Sequence, residues 1–402
     1  MHKLIARRAR GILPSNAIPI FLSVVLSIIL AACGAPSTSS FTSERNATEG
    51  KAGGQFGTPS ASPDATGPCV TDPSFYDVPG DGCDNDGDGT IDNPKSCDDS
   101  AGNTAEDFAH TLGICDDAGT RGFGLVSATF TQGYERSAAP NADQHNVLSK
   151  FGDVLVPREG HRLGVLSTGI AKEFDGSARE PFSPGKKMGG LFGADDDGAL
   201  PPGFPKGAVG CPQSRDVHDV ISLKLVLKAP KNATGFRLDF NFHSSEWPEY
   251  ICSEFNDGFI AYLTAKGFNG GAPDNISFDA QKNPVSVNNG FFDRCTPQTK
   301  TGCSGEREAT STCPGGAAEL AGTGFGIEAS ACGVLTKKAS QGGATGWLSS
   351  QAAVFPEETF TLELMIWDTG DGRLDSTVLL DNFRWIGGGA VTTSTDRPQD
   401  PK

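Results

Sequence analysis

Four carboxylates, Glu246, Glu249, Glu254 and Asp257, fall within the twelve-residue stretch 246–257 and are interleaved with Trp247, Pro248 and Tyr250. Carboxylates at that density repel one another unless a cation or hydrogen-bond donors gather them. Two chemistries suit the pattern. One is an oxygen-only cation site. The other is an acid and base pair, Glu246 and Glu254, flanking a glycosidic bond, with Trp247 and Tyr250 as sugar platforms. A second carboxylate turn, DTGDGRLD, carries Asp368, Asp371 and Asp375. If the two segments are neighbouring strand ends, Glu246, Asp257, Asp368, Asp371 and Asp375 meet at one rim and form a calcium site, which needs six to eight oxygens at about 2.3–2.6 Å. A solvated acidic loop is the competing reading.

The sharpest local motif lies earlier, in CDNDGDGTID. Asp84, Asp86 and Asp88 stand at positions 1, 3 and 5 of an EF-hand-type loop, with Gly89 at 6, the Thr90 carbonyl at 7 and Asp92 at 9. Lys95 occupies position 12, where a bidentate Glu belongs, and the flanking prolines forbid the usual exiting helix. Asp98 or Asp99 is then the candidate for the missing ligand. Calcium is the expected cofactor, against the alternative of a merely acidic turn.

The elements that must position these groups read as strands. Phe236, Leu238, Phe240 and Phe242 share one parity, and Arg237, Asp239, Asn241 and His243 the other, the signature of a half-buried strand. On that reading His243 is a surface residue. Residues 221–228 and 360–366 alternate in the same way, and shorter apolar runs between 122 and 171 are separated by glycine and proline. With 52 Gly and 26 Pro against 3 Met, the composition favours turns and strands. The expected fold is all-β: a β-sandwich of jelly-roll type, preceded by a small, disulfide-stapled, Asp-rich segment. The expected boundaries are a signal peptide at 1–32, a disordered tether at 33–67, the Cys/Asp-rich calcium-loop segment at 68–120, the sandwich at 121–387 and a disordered tail at 388–402.

Lys3, Arg7, Arg8 and Arg10 precede an apolar run from 20 to 32, the pattern of an export signal. Leu30-Ala31-Ala32-Cys33 is a lipobox, which makes Cys33 the lipidation site and the lipid the link to a membrane. Gly34 rather than Asp follows it, which favours an outer-membrane or cell-surface destination. Setting Cys33 aside leaves ten of the eleven cysteines, an even number, in two groups: Cys69, Cys83, Cys97 and Cys115, then Cys211, Cys252, Cys295, Cys303, Cys313 and Cys332. Disulfides imply an oxidising, extracytoplasmic compartment. The formal net charge of -16 repels phosphate backbones and excludes nucleic acid as a natural partner.

The segments SSEWPEYICSEFNDGFIAYL, NPVSVNN and WDTGDGRLDSTVLLDNF together resemble the bacterial choice-of-anchor L domain family, over roughly residues 122–387. Ser245, Trp247 and the cysteine-rich passage 295–332 depart from the family pattern. The resemblance implies an extracellular domain with varied anchors, the anchor here being the lipid at Cys33, and it brings no defined activity. The functional expectation is a calcium-stabilised binding or adhesion module for a cell-surface glycan or protein. The alternatives are an extracellular glycoside hydrolase using paired Glu/Asp and a structural envelope protein. The sequence contains no GxSxG, HExxH or phosphate-binding glycine loop.

Overall fold

The computed structural model describes residues 69–93, 95–99, 102–173, 198–288, 291–301, 308–331 and 334–398. The signal peptide, Cys33, the tether, Cys303 and Cys332 lie outside the described residues. The strands, in chain order, are β1 (Gly124–Thr131), β2 (His145–Leu148), β3 (Leu163–Ser167), β4 (Val217–Lys228), β5 (Ala233–Ser244), β6 (Gly258–Thr264), β7 (Asp274–Asn275) and β8 (Val285–Ser286). They continue with β9 (Gln298–Thr301), β10 (Glu308–Ser311), β11 (Ile327–Ala331), β12 (Val334–Gln341), β13 (Gly343–Ala353), β14 (Thr359–Thr369), β15 (Ser376–Gly387) and β16 (Ser394–Asp396).

Two antiparallel sheets form the body. One runs β1-β4-β14-β6-β7, with β8 also on β6, and the other runs β16-β13-β5-β15-β3-β2. The chain steps from β4 to β5, from β5 to β6, from β13 to β14 and from β14 to β15, changing sheet each time. The two apolar faces are thereby built together: Phe236, Leu238, Phe240 and Phe242 of β5 pack with Leu223, Leu225 and Leu227 of β4, Phe259 of β6 and Leu362 and Leu364 of β14. The all-β sandwich expected from the alternating segments is what forms.

The opposite face of β5 is also covered. Asp239, Asn241 and His243 are buried, and His243 packs against Phe151 and Phe325, which form a second apolar cluster with Leu155, Leu320, Leu163, Val165 and Leu379. His243 is therefore not a surface residue. It is fully buried between Phe151 and Phe325, and burial pushes its imidazole down to about 3, so it is neutral. Arg158 reaches under this roof to pair with the buried Asp239 at 3.2 Å.

The Asp-rich segment is joined to the sandwich rather than set apart from it. Helix α1 (Ala105–Thr111) begins with a capping box between Thr104 and Asp107 and sends Phe108, Ala109 and Leu112 into the main core. A Cβ at Gly164 of β3 would lie 2.3 Å from the Phe108 ring, so glycine there is what lets α1 dock. Asn232, in the turn between β4 and β5, accepts from the Tyr76 N–H and donates to its carbonyl. The expected disordered tail is corrected in part: Ser394–Asp396 pairs with Ser349–Gln351 of β13, and Thr395 bonds Ser350 and the Ile276 carbonyl.

Among the described residues there are four disulfides: Cys69–Cys83, Cys97–Cys115, Cys211–Cys252 and Cys295–Cys313. Cys211–Cys252 closes a separation of 41 residues and ties the segment before β4 to the acidic loop after β5. Replacing both cysteines by serine is expected to cost about 2–4 kcal/mol, read as a lower urea midpoint.

Candidate functional site

The first acidic loop is built locally. The Asp84 carboxylate accepts from the N–H groups of Gly87, Asp88 and Gly89 at 2.8–3.1 Å, which curls the chain around it. Asp88 accepts from the Thr90 N–H and the Asn93 amide, and these bonds hold its carboxyl below the usual range. The outcome is that one oxygen each of Asp84, Asp86 and Asp88 lies within 4.8 Å of the others, a group of three able to hold a metal ion. Arg121 pairs with Asp86 at 3.1 Å from the body side of the loop.

Two of the expected ligands are engaged elsewhere. Asp92 accepts from the N–H groups of Gly80, Asp81 and Gly82 and so caps a neighbouring turn. Asp98 is buried, with Oδ2 accepting from the His161 and Arg162 N–H groups, and fastens the 160–162 turn. Neither belongs to the group of three, and backbone donors from the turns at 80–82 and 160–162 hold these two carboxylates. Thr90 stays exposed within the loop.

The second acidic region forms where the ends of both sheets meet. Asp257, just before β6, receives the Thr369 N–H from the end of β14 at 3.0 Å and the Ser376 hydroxyl from the start of β15 at 2.7 Å. One carboxylate thus ties the first sheet to the second. Asp368 and Asp375 are buried beside it, and Glu246 and Glu249 are buried in the preceding loop, where Gln341 donates to Glu249. Asp371 sits outside this group, partly exposed with Arg373 at 3.9 Å. The expected rim is therefore assembled by the fold but sorted into an inner and an outer part. Among the described residues, only Asp84, Asp86 and Asp88 bring three ligand oxygens within 4.8 Å, so the rim carboxylates are more widely spaced.

Burial dominates the electrostatics here. It pushes Asp257 up to about 7, against the lowering effect of Ser376 and Thr369. Glu246 is raised well above the usual carboxylate range by burial, then by Asp257, Asp371 and Glu249. Asp368 is raised likewise by burial, then by Asp257, Asp375 and Asp219. Tyr250 is pushed to about 12 by burial and by Glu246, Glu249 and Asp371. Asp381, under the roof of the second sheet, rises to about 8 by burial despite three backbone donors.

These raised carboxyls hold their protons more tightly in the folded state than in the unfolded one. Their contribution to stability is full below about pH 4 and is lost as pH rises through 7 to 8. In chelator, the melting temperature should consequently be higher at pH 5.5 than at pH 8, and a flat profile would remove these groups from the account.

The acid and base pair does not assemble as a cleft. Glu246 is buried while Glu254 faces solvent, and Trp247 is buried with its ring stacked on Phe292 at 4.7 Å. Sequence reasoning missed Asp219, which reaches the inner group from β4, and it missed a groove elsewhere. That groove, of about 610 Å³, lies between Phe204, Lys206, Phe278 and Lys282. Lys282 Nζ sits 3.4 Å from the centre of the Phe278 ring, and Lys206 Nζ donates to the Lys282 carbonyl.

The family comparison accords with this architecture. The model of the choice-of-anchor L domain matches residues 165–383, from within β3 to within β15, and the chain belongs to that family. Together with the disulfides, this marks an extracytoplasmic, surface-associated bacterial protein. No curated protein and no solved structure matches the chain.

Proposed function

We propose that the protein is a binding or adhesion module of the bacterial cell surface, stabilised by calcium and held to the outer membrane by a lipid on Cys33. The observation that carries the reading is the Asp84, Asp86 and Asp88 triad, mounted on a disulfide-stapled segment whose helix packs into the family domain. Three carboxylates and a loop of glycines suit calcium, a hard cation that takes oxygen ligands in flexible geometry and is plentiful outside the cell. The lipobox at 30–33 supports the anchor. The ligand is a cell-surface glycan or protein. The groove beside Phe278 and Lys282 supports a ligand site, being within the roughly 300–1,000 Å³ typical of binding sites.

The test has two arms. Labelled fatty acid should be incorporated by the wild type and not by Cys33→Ser. The full chain should be retained on cells and glycan surfaces with calcium and released by chelator, without turnover of the glycan. Retention indifferent to calcium, or none at all, would leave an envelope protein with a structural role.

A further inference from the structure

The groove of about 610 Å³ is walled by residues 202–206, which precede β4, and by residues 268–284, which lie between β6 and β8 at the edge of the first sheet. Phe204, Phe268 and Phe278 give it apolar surface, and Asn269 and Thr393 give it polar side chains. Its charge runs against that of the chain. The formal net charge is -16, yet the lining holds two lysines, Lys206 and Lys282, against one carboxylate, Asp274. Both lysines are exposed, and neither forms an ion pair among the described residues.

The two ammoniums are nonetheless held in place. Lys282 Nζ lies 3.4 Å from the centre of the Phe278 ring, a contact that fixes the cation without spending an N–H on an acceptor. Lys206 Nζ donates to the Lys282 carbonyl at 3.0 Å, and an ammonium has three donors, so two are left. Pairing a ligand anion with such restrained side chains costs less entropy than pairing it with free ones. Elsewhere the acidic chain repels anions, so this groove is where one is drawn in. The backbone around it argues for a sugar over a peptide. A peptide that binds by strand addition needs a run of free sheet edge, and β7 and β8 are two residues each. Aromatic rings beside amide and hydroxyl groups suit the apolar faces and hydroxyls of a sugar instead.

We propose that this groove takes an acidic oligosaccharide, with Lys206 and Lys282 meeting its carboxylates or sulfates. The inference rests on the reading of the protein as a surface-binding module and narrows its ligand to one class.

The test is calorimetric titration of the oxidised full chain, in one calcium-containing buffer, with tetragalacturonate, sulfated maltotetraose, unmodified maltotetraose and an oligoglutamate peptide. At least one of the two acidic sugars should bind, the tighter one naming the acid recognised, and unmodified maltotetraose should not. Lys206→Gln and Lys282→Gln should each weaken binding roughly fivefold. A Lys150→Gln, Lys231→Gln variant removes the same charge from exposed lysines elsewhere and should bind like the wild type. All of these changes fall on exposed side chains, and unchanged melting temperatures will show that the fold is kept. The proposal is overturned if the wild type binds neither acidic sugar, if it prefers oligoglutamate to both, or if the control variant loses as much affinity as the groove variants. Cell retention keeps the two readings apart: if the wild type and a Lys206→Gln, Lys282→Gln variant are retained alike, the groove falls while the binding module stands.

Discussion

Alanine at Asp257 is expected to destabilise the protein by about 2–6 kcal/mol, the cost of leaving two buried donors without an acceptor. Those donors are the Thr369 N–H at 3.0 Å and the Ser376 hydroxyl at 2.7 Å, one from each sheet. Thr369 is itself set by the Trp367 indole, which donates to its hydroxyl, and by the Asn256 carbonyl, which accepts from it. The loss therefore extends into the junction between β14 and β6. The Asp257→Asn substitution separates two roles, since it keeps one acceptor oxygen and removes the charge, so its cost should be clearly smaller. Urea midpoints of the two variants measure this. An alanine variant as stable as the wild type would show that the sheets are held together by other contacts.

Phe236→Ala should cost about 3–5 kcal/mol, the range for truncating a buried aromatic residue and leaving a cavity. Phe236 is fully buried, with Phe360 of the facing sheet at 5.4 Å and Phe383 at 5.3 Å, both nearly parallel to it. The three rings span the sandwich, so no single side chain can move to fill the space. Thermal melts with and without calcium separate this effect from cation binding: the alanine variant should lose stability equally in both. A loss confined to the chelated form would mean that the ring acts through the acidic site.

The main strands were legible because burial on the inner face imposes a period of two, and Phe236 to Phe242 kept that parity in the fold. What the alternation could not reveal was the roof over the other face. Its residues, Phe151, Leu155, Leu320 and Phe325, are far away in the chain, so Asn241 and His243 carried a solvent-facing pattern into a buried place. Helix α1 is only seven residues long, too short to show a helical period, and its signal was the Thr104–Asp107 cap.

The acidic sites divide in the same way. Asp84, Asp86 and Asp88 were legible because their geometry is set within one turn of chain. Asp92 and Asp98 were not, because the turns at 80–82 and 160–162 supply their donors. The meeting of Asp257 with Asp368 and Asp375 followed from two acidic segments at strand ends, whereas Asp219 depends on a bulge that leaves no mark in composition or spacing. Asp371 had the right residue type at the right spacing, yet it turns outward toward Arg373.

Whether a cation pins this surface module is read most directly from the melting temperature of the full, oxidised chain at pH 7.5. Excess calcium should raise the midpoint over that in chelator by roughly 5 °C, the shift expected when a ligand at about 100 times its Kd binds only the folded state. An identical midpoint in calcium and in chelator would contradict the account.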